Sequence, residues 1–201
     1  MKIRRSGGPL SLAVSLFLLG PWLRPATAQL LGPEFQINTY TTSVQYWPAV
    51  TADGSGNFVV AWTSFGQDGS SAGVFGQRFN SLGIPVGSEF QINTYTTNNQ
   101  EMSAVAADGS GNFVVAWESY GQDGSSFGVF GQRFNSTGDP VGSEFQINTF
   151  TTSFQKQPVM AADDSGNFVV VWESGGQDGA TYGVFGQRFN SAGSPVGSEF
   201  Q

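Results

Sequence analysis

Apolar and polar residues alternate over short stretches of this chain, which predicts half-buried β-strands. In Phe113–Glu118, the Phe, Val and Trp side chains share one face and Val and Ala share the other. Because both faces are apolar, we expect a central strand that is covered on both sides. Similar runs at Glu89–Thr94, Met102–Ala107 and Val129–Asn135 predict three further strands. Asp108–Asn112 supplies the Gly and Asn residues of a tight turn between two of them.

The pattern repeats along the chain with a constant spacing of 55 residues. The sequence Gly-Asn-Phe-Val-Val-Ala-Trp begins at Gly56 and at Gly111, and Gly-Asn-Phe-Val-Val-Val-Trp begins at Gly166. Residues 29–201 therefore form one tandem-repeat region. Its full units are 34–88, 89–143 and 144–198, and a fourth copy starts at 199–201.

A single unit is too small to fold alone. The few Phe, Val and Trp side chains of one unit bury too little apolar surface to offset the conformational entropy of ordering it. Stacked units of four antiparallel strands describe an all-β fold of β-propeller-like blades. A β-trefoil and an open β-solenoid are the alternatives. Closed propellers have about 4–8 blades, so we expect further repeat units or other copies of the chain to complete the fold.

The turn and central strand of each unit resemble a known repeat. Val105–Trp117 contains an Asp, a Gly-Asn pair and then an aromatic and aliphatic run. This stretch resembles the core of NHL-like and related bacterial β-propeller repeats, in which the Asp and Gly-Asn form the hairpin before a central strand. The whole unit is similar to tandem repeats of large exported bacterial proteins. The resemblance covers residues 34–201 and implies a bacterial, exported tandem-repeat protein.

Residues 1–28 have the three parts of a secretory signal peptide. Met1–Arg5 is basic, Leu10–Leu19 is apolar apart from two serines, and Ala26–Ala28 places small residues at the cleavage site. The apolar run is shorter than the roughly 20 residues that a membrane-spanning helix needs. We therefore expect cleavage after Ala28, no membrane span in the mature chain, and a protein that is secreted or displayed on the cell surface.

Charge and composition exclude several classes of function. The chain has 15 acidic and 8 basic residues, a net charge of −7, and neither His nor Cys. An acidic chain lacks the basic surface that binds nucleic acid. Without His or Cys there is no Ser-His-Asp or Cys-His site, and no zinc site that depends on imidazole or thiolate. The sequence predicts neither a cofactor nor a metal ion.

Two groups of residues are candidates for ligand binding. The units differ most just after a shared Gln, where they read Tyr46-Trp47, Glu101-Met102 and Lys156-Gln157. We interpret this position as a surface loop that is free to vary, as the binding faces of repeat proteins are. Tyr46 and Trp47 would be aromatic anchors for an extracellular glycan or protein ligand. The second group is one aspartate in each Gly-Gln-Asp-Gly loop, for which capping of the local backbone is the alternative: Asp68, Asp123 and Asp178.

The acids of the central strand bear on whether the protein is an enzyme. Glycosidases use a pair of acids across one sugar. Glu118 and Glu173 end this strand in two units, with Thr63 at the matching place in the first. One acid per repeat indicates a structural position, so we expect an exported, non-enzymatic repeat protein whose surface serves adhesion or ligand binding. A glycan-processing enzyme on a propeller scaffold and a structural spacer of a larger cell-surface protein are the alternatives.

Overall fold

The computed structural model describes residues 32–201, and the predicted signal peptide at 1–28 lies outside them. This part of the chain forms eleven strands. They are β1 (Gln45–Ala52), β2 (Phe58–Phe65), β3 (Ala72–Phe79), β4 (Pro85–Gln91), β5 (Gln100–Ala107), β6 (Phe113–Tyr120), β7 (Phe127–Phe134), β8 (Phe145–Gln146), β9 (Gln155–Ala162), β10 (Phe168–Ser174) and β11 (Gly183–Phe189). No helix within residues 32–201 is long and apolar enough to cross a lipid bilayer.

The strands form three antiparallel sheets, which we refer to as blades 1, 2 and 3. Blade 1 has the order β1-β2-β3-β4, blade 2 has β5-β6-β7-β8, and blade 3 has β9-β10-β11. In blade 3, Phe200 takes the fourth place through a bridge to Gly186. The architecture confirms the prediction of an all-β fold made of four-stranded antiparallel blades.

The blades are offset from the repeat units that the sequence suggested. Phe90 and Gln91, at the start of the second unit, pair with Gly76 and Phe75 and so belong to the outermost strand of blade 1. The outer strand therefore leads the chain from one blade into the next. The predicted central strand is confirmed, since Phe113–Tyr120 lies between β5 and β7 and is buried up to its last residue.

The blades are held together by apolar side chains that project from both sides of each sheet. On one side of β6, Phe113, Val115 and Trp117 join a core cluster with residues of blade 1. On the other side, Val114 and Ala116 join a cluster with residues of blade 3. The central strand of blade 2 therefore contributes to two cores, as the stacking of repeat units requires.

The tight turn before each central strand is fixed by its aspartate. One oxygen of Asp108 accepts the backbone N–H groups of Ser110 and Asn112, both at 2.9 Å, and the other accepts the Asn112 side-chain amide at 2.7 Å. Gly111 has a φ of 85°, a conformation that costs little only for glycine. The matching turns of blades 1 and 3 have the same three bonds, so these aspartates are structural.

A matched pair of valines tests the packing between blades. Val129 and Val184 occupy the same place in blades 2 and 3, but Val129 is fully buried and Val184 is 59% exposed. Val129→Ala should lower the free energy of unfolding by about 2 kcal/mol, because it removes buried methyl groups and leaves a cavity. Val184→Ala should lower it by less than about 0.5 kcal/mol. Urea unfolding followed by tryptophan fluorescence measures both, and equal losses would contradict the packing described here.

Candidate functional site

The first strands of the blades share an irregular feature. β1, β5 and β9 occupy the same edge of their sheets, and β5 contacts both β1 and β9; we refer to the three as the inner strands. Each has a shift in its pairing with the central strand near its beginning. At each shift a residue other than glycine has a positive φ, namely 52° at Trp47 and 53° at Met102 and Gln157. Such β-bulges and strained residues concentrate at functional sites.

The bulges contain the dipeptides at which the repeat units differ. The sequence interpretation placed Tyr46 and Trp47 on a surface loop, and this is wrong. Both lie within β1, because a bulge accommodates an extra residue without ending the strand. Their rings meet edge to face with centroids 4.2 Å apart, and Trp47 is 44% exposed. The pair therefore presents an aromatic surface at the edge of the blade, and its role in ligand binding stays a prediction.

In each blade, the variable residue lies opposite the residue that directly follows the tryptophan of the central strand. The three blades present three different pairs at this position: Tyr46 with Thr63, Glu101 with Glu118, and Lys156 with Glu173. The same position of the repeat therefore holds an uncharged pair in blade 1, a pair of acids in blade 2 and a pair of opposite charges in blade 3. Like charges directly opposite each other destabilise a sheet unless one of them is neutralised, and the pair in blade 2 consists of two carboxyl groups.

Contacts between blades bring these residues into one group, which we refer to as the bulge cluster: Tyr46, Glu101, Glu118 and Lys156. The Tyr46 hydroxyl lies 3.5 Å from a carboxylate oxygen of Glu101. The backbone N–H of Gln157, at the bulge of blade 3, donates to Glu118 Oε2 at 3.0 Å. The Lys156 ammonium is close enough for its charge to act on both glutamates. Residues of all three blades thus meet at this site.

Burial gives the two glutamates a high affinity for protons. Glu118 is only 2% exposed, and the loss of hydration raises its pKa from 4.5 to about 7. The hydrogen bond from Gln157 and the charge of Lys156 oppose this rise in pKa, whereas the charges of Glu101 and Glu173 add to it. Burial also raises the pKa of Glu101. Near neutral pH the pair therefore retains a proton, which general acid catalysis requires.

The three loop aspartates lie one in each blade, between the second and third strands. Asp68, Asp123 and Asp178 each accept the backbone N–H two residues further on, at 2.9–3.0 Å. The capping role that the sequence offered as an alternative is therefore present. The second oxygen of Asp178 accepts from Gln201 at 2.7 Å, while those of Asp68 and Asp123 are buried without a partner among residues 32–201. Ligand binding by these aspartates stays a prediction.

Glu101 and Lys156 are site residues that the sequence analysis missed. The signal was their variation at one repeat position, but only the bulges and the strand register show that they meet Tyr46 and Glu118. In the part of the chain that the structure describes, no three His, Cys, Asp or Glu side chains are arranged to hold a metal ion.

Comparison with known proteins gives matches in structure. No protein-family model matches the chain, and no curated protein does. A protein of unknown function from Dyadobacter fermentans DSM 18053 has a TM-score of 0.54 at 10% identity, with 77% of this chain and 55% of that chain covered. A thermostable family-43 glycoside hydrolase has a TM-score of 0.52 at 10% identity, with 79% and 60% covered. An alpha-L-arabinofuranosidase from Lactobacillus brevis has 0.52 at 12% identity, with 80% and 57% covered.

The chain thus spans between 55% and 60% of the length of these three structures. At such low identity the likeness shows the fold, and together with the stacked four-stranded sheets it confirms the propeller-like architecture. The more specific resemblance to NHL-like repeats stays a prediction.

The same comparison contradicts the expectation of a non-enzymatic adhesion protein. Two of these three structures are named for an activity, and both act on glycosides: the family-43 glycoside hydrolase and the alpha-L-arabinofuranosidase. The argument from one acid per repeat was wrong because it treated Glu118 and Glu173 as equivalent. Glu118 lies opposite a second acid, Glu101, whereas Glu173 lies opposite Lys156. Blade 2 therefore has a pair of opposed acids that blades 1 and 3 lack, although the sequences of the three units are nearly the same.

The raised pKa of Glu118 predicts how stability depends on pH. The unfolded chain releases this proton near pH 4.5, and the folded chain holds it to about pH 7. The folded state therefore binds more protons across this window, and its stability falls as the pH rises through it, by about 3 kcal/mol in total. Glu118→Gln should match the parent chain at pH 4.5 and be more stable than it at pH 8. Urea unfolding at both pH values measures this, and parallel pH profiles would show that Glu118 is not responsible.

Proposed function

We propose that this chain acts on a glycan as a hydrolase and that the bulge cluster is its active site. One observation carries the proposal: Glu101 and Glu118 lie directly opposite each other, and burial keeps a proton on the pair near neutral pH. A carboxyl group that keeps a proton near neutral pH is the general acid that hydrolysis of a glycosidic bond requires.

The two glutamates have different roles because they differ in exposure. Glu101 is half-buried and the more accessible of the two, so it donates a proton to the leaving oxygen of a glycosidic bond and, once ionised, takes a proton from the water that adds to the sugar carbon. Glu118 is too deeply buried to contact a sugar. It acts through Glu101, because two neighbouring carboxyl groups resist ionising together and the pair therefore shares a proton near neutral pH. Glu118 is therefore a positioning residue.

Neighbouring side chains prepare Glu101 for this role. The Tyr46 hydroxyl, 3.5 Å from the carboxylate, orients it. The Lys156 charge lowers the pKa of Glu101 and so limits the rise that burial causes.

The structural matches support the same class of substrate. A family-43 glycoside hydrolase and an arabinofuranosidase share the propeller-like arrangement with this chain. The predicted signal peptide at 1–28 agrees with an enzyme that meets polysaccharide outside the cell, and export itself remains part of this proposal.

Hydrolysis of a substrate panel tests the proposal. The purified chain is incubated with 4-nitrophenyl α-L-arabinofuranoside, β-D-xyloside and β-D-mannoside and with the corresponding polysaccharides. Glu101→Gln should lower turnover by about 100-fold or more, because it removes the proton donor. The control is Asp164→Asn, an exposed turn acid that only the third repeat unit carries, and it should leave turnover unchanged.

The pH profile separates the two glutamates. Glu118→Gln should keep measurable turnover and move the alkaline limb of the profile to a lower pH, because the pair then lacks the proton that Glu118 holds to about pH 7. The absence of release from every substrate, or full turnover in a folded Glu101→Gln variant, would refute the assignment.

A further inference from the structure

Two pairs of aromatic side chains lie beside the bulge cluster, one in blade 2 and one in blade 3. Tyr120 ends β6 and Phe127 begins β7, and their rings meet edge to face with centroids 4.9 Å apart. Phe154 directly precedes β9 and Tyr182 directly precedes β11, and their ring centroids are 5.2 Å apart. We refer to these four residues as the aromatic rim. Tyr120 is 44% exposed and Tyr182 is 61% exposed, whereas both phenylalanines are half-buried, so each pair is an exposed tyrosine supported by a phenylalanine.

The two blades place an aromatic ring at the same point by different means. In blade 2 the ring belongs to Tyr120, at the end of the central strand. Blade 3 has Gly175 at this repeat position and Phe154 where blade 2 has Asn99. The Phe154 ring covers the glycine, since a Cβ added to Gly175 would lie 2.7 Å from Phe154 Cζ. The sequence therefore changes while the ring stays, and an exposed aromatic surface that persists in this way indicates an interaction site.

Lys156 joins the aromatic rim to the bulge cluster. Its ammonium lies 3.9 Å from the centroid of the Phe127 ring and 5.6 Å from that of the Phe154 ring, so one cation contacts a ring of each pair. The charge of the same ammonium acts on the carboxyl groups of Glu101 and Glu118. The rim and the proposed proton donor therefore belong to one continuous surface.

A groove beside the first aromatic pair adds polar groups to this surface. Its volume is about 310 Å³, and it is lined by Ser71, Asn98, Asn99, Tyr120 and Phe127. It thus combines aromatic rings with a hydroxyl group and two amides, which donate and accept hydrogen bonds. Asn99 comes two residues before Glu101, and its side chain acts on that carboxyl group. The groove therefore adjoins the proposed proton donor.

We infer that the aromatic rim binds the sugar rings of a neutral polysaccharide and holds this polymer across the bulge cluster. The inference rests on the proposed function, which supplies the class of ligand. The C–H groups on one face of a sugar pack against the electron-rich face of an aromatic ring, and its hydroxyl groups bond to amides such as those of the groove. Two aromatic pairs on neighbouring blades offer contacts to more than one sugar ring, so the substrate is a polymer.

Charge favours a neutral polymer over an acidic one. The chain has a net charge of −7, and it therefore repels a polyanion at long range. The positive charge of Lys156 is already opposed by Glu101 and Glu118. An acidic sugar at the rim would meet these two carboxyl groups without a free cation to balance it.

Retardation of the protein in native gels that contain a dissolved polysaccharide tests the inference, because it requires no bond cleavage. The probes are arabinan, linear xylan and mannan, with polygalacturonic acid as the acidic polymer. At least one neutral polymer should retard the parent chain, and Tyr120→Ala and Tyr182→Ala should each weaken its binding by about tenfold. Tyr120→Phe should retain binding because it keeps the ring. The control is Leu82→Ala, which removes an 81% exposed side chain at the β3–β4 turn and should change nothing.

The same variants separate this inference from the proposed hydrolase. Tyr120→Ala and Tyr182→Ala should lower kcat/KM for the polysaccharide about tenfold more than for the 4-nitrophenyl glycoside, since a single sugar cannot contact both pairs. Retardation that depends on the rim, without hydrolysis of any substrate, would refute the hydrolase and support the rim as a glycan-binding surface. Retardation by no neutral polymer, by polygalacturonic acid alone, or equally in a folded variant lacking both tyrosines would overturn the inference whatever the hydrolysis result.

Discussion

The structure depends on the packing of one blade against the next. A four-stranded sheet with apolar side chains on both faces has no stable state in water by itself, and here the central strands of blades 1 and 2 each contribute to a core on either side. That requirement explains the near identity of the repeat units, since every unit must fit both its neighbours. It also explains the exposed valines of blade 3, which have the same residue type as those buried at the internal junctions.

Within this uniform framework, the bulge of the inner strand is the place where the units are free to differ. A bulge leaves backbone groups outside the ladder and aims a side chain away from the core. The chain uses the same place for Tyr46, Glu101 and Lys156, and the contacts between blades bring the three together with Glu118. Glu118 also accepts the backbone N–H of the next bulge, so one residue serves both the junction and the candidate chemistry.

The repeat made the fold predictable from the sequence. The constant spacing, the two apolar faces of Phe113–Glu118 and the Asp-Gly-Asn turns determine stacked antiparallel blades, and the structure agrees. The site was harder to predict because it depends on register. Nothing in the sequence shows that a bulge shifts β5 so that Glu101 comes to lie opposite Glu118. Without that pairing, the recurrence of an acid in two of the three units indicates a structural position and favours a non-enzymatic protein.

The central claim is that two opposed carboxyl groups retain a proton near neutral pH. Carbon-13 NMR of the glutamate side-chain carboxyls, followed from pH 3 to pH 9, tests it most directly, and Glu118→Gln identifies the resonance of that residue. The account predicts one resonance with a midpoint near the pKa of about 7 that is lost in the variant. Midpoints below about pH 5 for every glutamate, as in unperturbed side chains, would contradict it.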